Sequence, residues 1–136
     1  MSIGNWNPED RSEKILYHID IDVLARCAVF AGTENWPALP AWEKDHLPAD
    51  ASQMMKLTGE QWENTLKNID NNNLLALVRF FTVAEHSLPH WHGGEKSPVI
   101  WISRYLRRQG APLSREHVLW IKEHSNNRFL PNGSIL

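Results

Sequence analysis

Apolar residues crowd one stretch of this chain more than any other. Over residues 74–84, LLALVRFFTVA, only Arg79 and Thr82 interrupt the apolar pattern, and with Glu85 and His86 they form a narrow polar stripe at helical spacing. A helix apolar nearly all round lies inside its domain. Its longest unbroken apolar run is residues 74–78, far below the roughly 18 positions of a membrane span, so the pattern predicts a core helix and no transmembrane segment.

A second periodic run follows at VIWISRYLRR. Ser97 and Pro98 supply a cap and a first-turn proline, placed where a helix leaves its N–H unpaired, and Gly110 can adopt the left-handed conformation that closes a helix. The spacing predicts a helix over residues 98–109. Val99, Ile102 and Leu106 face inward with Trp101 and Tyr105 flanking, while Arg104, Arg107 and Arg108 form a basic face.

The rest of the chain is patterned more weakly. Residues 14–22 alternate like a strand yet keep helical spacing at Ile15, Ile19 and Asp22; helix is favoured because a lone strand has nothing to pair with. Asp20 or Asp22 can cap a helix with Leu24, Cys27, Ala28 and Ala31 on one face, and Gly32 is expected to stop it. TENWPALPAW predicts an extended connection packed through Trp36 and Trp42, followed by a helical turn over residues 42–46. Asp50 is expected to cap a short helix through Leu57. Thr58 with Gln61 makes a capping box for a helix burying Trp62, Leu66 and Ile69, with Glu63 and Lys67 paired on its surface. Ser114 opens a last helix over residues 115–124. The sum is an all-α single domain, residues 1–136, of about five or six helices ending in a C-terminal helical hairpin. Residues 1–13 form a polar arm. Residues 126–136 form a tail whose Phe129, Leu130, Ile135 and Leu136 pack back.

Composition narrows this picture. A chain of 136 residues, 42% hydrophobic and 22% charged, has the length and core material of one ordinary domain. Seven tryptophans are many for that length; they fit either a core or an interaction surface. A net charge of −2 gives no global argument for nucleic acid or an anionic membrane. The single cysteine, Cys27, lies on an apolar helix face and reads as a small core residue. The first residues lack the positive and apolar regions of a signal peptide, so a cytoplasmic location is expected.

Candidate chemistry concentrates in the connector between the two strong helices, SLPHWHGGEKSP. Ligand-binding candidates are His90, Trp91, His92, Lys96 and Ser97, on a loop that Gly93 and Gly94 leave free at its middle and Trp91 anchors. His86, His90 and His92, together with Glu85, could converge on zinc, although H-x3-H-x-H matches no helical ligand template and no cysteine partners it. The glycine pair, Lys96, Ser97 and the following helix N-terminus would suit a phosphate or carboxylate. His90 with Glu95 could exchange protons, but no nucleophile, phosphate-loop or metalloprotease motif accompanies them, and the reading leans away from an enzyme. Residues 98–124 have the outline of a helix-turn-helix, and residues 96–128 carry seven basic against two acidic side chains. Against DNA, the would-be recognition helix is apolar on all sides at residues 118–121. The expectation is a non-enzymatic protein-interaction or regulatory module without a required cofactor. Its partner is another protein or a second copy, the alternatives being DNA binding through residues 98–124 and metal or anion binding through residues 86–97.

Overall fold

The computed structural model describes residues 17–127, 129 and 130. The arm at residues 1–13, Pro8 within it, and Ile135 and Leu136 lie outside the described residues. Among those described, the chain is all helix and turn: α1 is Ile21–Thr33, α2 Leu39–His46, α3 Gly59–Leu66, α4 Asn71–Ser87, α5 Pro98–Arg108 and α6 Arg115–His124. Short 3-10 turns at Trp36–Ala38, Ala51–Lys56 and Gly94–Lys96 link them. No helix is long and apolar enough to cross a membrane.

Helix α4 is the axis of the fold. Helices α1, α2, α5 and α6 all pack on it, and α3 packs on α5. Its residues Leu74, Leu77, Val78, Phe80, Phe81 and Ala84 are fully buried, as an all-round apolar helix requires. Edge-to-face rings extend the core outward: Phe81 meets Trp62 of α3, and Phe80 meets Trp42 of α2 and Trp91 of the connector. The α5 face expected from its spacing is the buried one, with Val99, Ile102 and Leu106 inside and Trp101 and Tyr105 packed at the margin.

Caps fix the ends. The side chains of Asp20, Thr58, Asp70, Ser97 and Ser114 each accept an N–H in the first turn of the following helix, and Thr58 with Gln61 completes the expected capping box. Gly110 takes the left-handed conformation after α5.

Five local expectations are corrected. Residues 17–20 are irregular rather than helical, and Asp20 starts α1 only at Ile21. Gly32 lies inside α1, which ends at Glu34 with φ 56°. The proline-rich stretch is a 3-10 turn and a helix rather than an extended connection, because Pro37 and Pro40 both fall in first turns where no N–H is needed. Asp50 makes no side-chain cap, and the segment after it is a 3-10 turn. Glu63 pairs with Arg108 of α5, not with Lys67 of its own helix. In the tail, Leu130 is buried and Phe129 is exposed.

Candidate functional site

The connector is built around one carboxylate. Glu85, in the last turns of α4, is 2% exposed. The Gly93 N–H donates to its Oε1 at 3.1 Å, the Asn127 amide donates to the same oxygen at 2.9 Å, and the Ser97 hydroxyl donates to Oε2. Asn127 also donates to the Gly94 carbonyl at 3.0 Å, so the segment after α6 clamps the connector onto the end of α4. Desolvation pushes the Glu85 pKa upward, and the hydrogen bonds from Ser97, Gly93 and Asn127 pull against that rise.

Within the site expected from the sequence, the Ser97 hydroxyl is already engaged. The glycine–serine cradle that would suit an external anion already holds an internal one, the Glu85 carboxylate. Ser97 is fully buried and unavailable to a ligand. The connector is not free at its glycines: a Cβ on Gly93 would stand 2.7 Å from the Ser97 Cα, so only glycine lets the two backbones approach this closely. Lys96 is exposed, and its carbonyl accepts the Trp101 indole N–H at 3.1 Å.

The histidines separate. Trp91 is 1% exposed, while its neighbours His90 and His92 are exposed and line one open cleft of about 340 Å³ with Ser52, Gln53, Lys56 and Pro89. His86 lies in another cleft, beside Trp36, Glu123 and His124. Among the described residues no group of three or more His, Cys, Asp or Glu side chains is placed to hold a metal ion. Glu95 is exposed.

The basic face of α5 is partly engaged within the molecule. Arg108 forms an ion pair with Glu63, and the Arg104 guanidinium lies 5.4 Å from the centre of the Trp101 ring. Helix α6 packs on α4, and its exposed positions Arg115, Glu116, Leu119, Lys122 and Glu123 mix both signs of charge with an apolar residue. Such a face suits the mixed surface of a packed helix better than base reading. Cys27 is fully buried and burial pushes its thiol pKa upward, so it lacks the thiolate character of a nucleophile.

A concave surface larger than either of the two histidine clefts lies elsewhere. Between α1 and α2 runs an open groove of about 640 Å³, with Ala25, Val29, Phe30, Ala38, Ala41 and Trp42 along it. Val29 is 73% exposed, whereas Phe30 is buried beneath Trp42, their rings stacked at 4.6 Å. Arg26, Asp45 and His46 edge the groove, and the Arg26 guanidinium donates to the His46 carbonyl, tying the two helices at one end. The signal in the sequence is Ala25 and Val29, four residues apart on the side of α1 away from Leu24, Cys27 and Ala31. The opposite wall follows only once residues 39–41 are seen to be helical as well. Compared with known proteins, the chain matches no family model, no curated protein and no solved structure.

Proposed function

We propose that the protein is a non-enzymatic interaction module whose α1–α2 groove receives an amphipathic helix of a partner protein. The observation that carries this reading is Val29, an apolar side chain 73% exposed in an open, mainly apolar groove. A groove walled by two helices and floored by aromatic rings takes the i, i+3, i+4 apolar anchors of a third helix. About 640 Å³ accommodates a few large side chains, and the Arg26 and Asp45 side chains at the margin offer one charge of each sign to the polar flank of that helix. Catalysis draws no comparable support: the buried titratable groups, Glu85 and Cys27, are enclosed in packing rather than presented in a cleft.

A photo-crosslinking residue placed at position 29 in the host cell tests this. The expected product is a heterologous protein crosslinked through a segment of helical amphipathic sequence, absent when the same residue stands at the exposed position 116. A synthetic peptide of that segment should bind, and Val29→Glu should weaken it at least about tenfold without changing the melting temperature, as burying an unpaired charge at an interface demands. Crosslinks only to a second copy of the chain, or none above the position-116 control, overturn the reading.

A further inference from the structure

The cleft between the turn Ala51–Lys56 and the connector carries a second, independent proposal. We infer that it binds a small oxyanion, with a phosphate monoester as the chemistry it fits. Its six lining residues supply one ammonium, two imidazoles, a side-chain amide and a hydroxyl, and none of them is acidic. In a chain with 16 acidic against 14 basic residues, a concavity lined by a lysine and uncharged or basic side chains, with no carboxylate, is a local reversal of sign that favours anions.

The donors are also unspent. Among the described residues, the side chains of Lys56, His90 and His92 have no hydrogen-bond or ion-pair partner, although carboxylates elsewhere on the surface do capture cations, as Glu63 captures Arg108. An ammonium offers three N–H donors, each imidazole at least one, and the Gln53 amide and Ser52 hydroxyl add more, enough to meet the three terminal oxygens of a phosphate monoester. A volume of about 340 Å³ lies at the lower end of small-ligand sites.

Both walls are held before any ligand arrives. On one side Met54 and Met55 are fully buried, and the Trp62 indole N–H donates to the Met54 carbonyl at 3.1 Å, fixing the turn from which Ser52, Gln53 and Lys56 project. On the other, the burial of Trp91 leaves the flanking imidazoles of His90 and His92 at the surface, and the next residue, Gly93, is tied to Glu85. A site whose frame is already ordered loses little further freedom on binding.

The chemistry has two sources: a free phosphate-bearing molecule, or a phosphorylated side chain of a partner protein. Titration of the full chain, followed by backbone and imidazole nitrogen NMR, separates them with inorganic phosphate, glycerol phosphate and a capped phosphoserine peptide, at constant ionic strength set by chloride. The expected result is saturable shifts at Lys56, His90 and His92, with affinity in the millimolar range or tighter. Lys56→Ala and the double change His90→Ala with His92→Ala should each weaken binding at least about tenfold while the melting temperature stays put. Tighter binding of the phosphoserine peptide assigns the site to a partner's side chain; equal or weaker binding assigns it to a free phosphate. Shifts that grow linearly without saturating, or affinities unchanged in the variants, overturn the site.

Discussion

At the scale of single residues, Glu85 sets the terms for everything near it. Its carboxyl titrates higher in the folded chain than in the unfolded one because burial disfavours the charge. The contribution of such a group to stability is fully present below the unfolded value, about 4.3 for glutamate, and is lost as pH rises through the folded value. Wild type should therefore lose stability relative to Glu85→Gln as pH climbs from about 4.3 up to the folded value, read as urea midpoints that diverge over that range; parallel midpoints across pH would show that the shift is absent. Glu85→Ala removes the acceptor itself and strands the buried Ser97 hydroxyl, at a cost of about 1–3 kcal/mol, while the part-buried Gly93 N–H and one N–H of the Asn127 amide lose their partner at less cost. Cys27 gives a second prediction at this scale. With its thiol buried and its pKa raised, it should resist thiol reagents in the native state and react only at the rate of unfolding, so rapid labelling of the folded chain would contradict the packing described.

Among elements, the connector is the informative one. Trp91→Ala should destabilise the fold by about 3 kcal/mol or more, since a fully buried indole is removed, whereas His90→Ala and His92→Ala should each change stability by less than about 0.5 kcal/mol. Denaturant unfolding of the three variants checks the contrast, and a histidine as costly as the tryptophan would contradict its exposure. Helix α1 offers a gain instead: Glu34 adopts a left-handed backbone, so Glu34→Gly should stabilise by up to about 1 kcal/mol by removing the Cβ penalty. Much at this scale was legible in the sequence, because caps and apolar spacing are local. Thr58 with Gln61, Ser97 with Pro98, and the Val99, Ile102, Leu106 face all follow from residues within a turn or two of one another. Glu85 was not legible as a hub, since on periodicity alone it belonged to a polar stripe and one of its partners, Asn127, is 42 residues away. Of helix α2 only the turn over residues 42–46 was legible, for another reason: prolines that break a helix interior are welcome in its first turn, and spacing alone does not say that this turn begins at Leu39.

For the whole molecule, the arrangement is an axial helix with its neighbours around it, and the open α1–α2 groove lies between two of those neighbours. The α1–α2 groove exists only because α2 is a helix and the Arg26 guanidinium ties it to α1, so no single segment of sequence announces it. Arg26→Ala should leave the core intact but loosen the far end of α2, seen as faster amide exchange at residues 42–46 than in α4. Unchanged exchange there would show that packing alone holds the groove. The clamp at Glu85 has a consequence for how the protein is made. Because Asn127 is delivered 42 residues after the carboxylate it satisfies, a growing chain carries an incompletely bonded carboxylate until nearly its last described residues have emerged. Chains released early, ending before Asn127, should expose the connector to proteases that leave chains extending past Asn127 untouched, making the emergence of that residue the event that closes the fold.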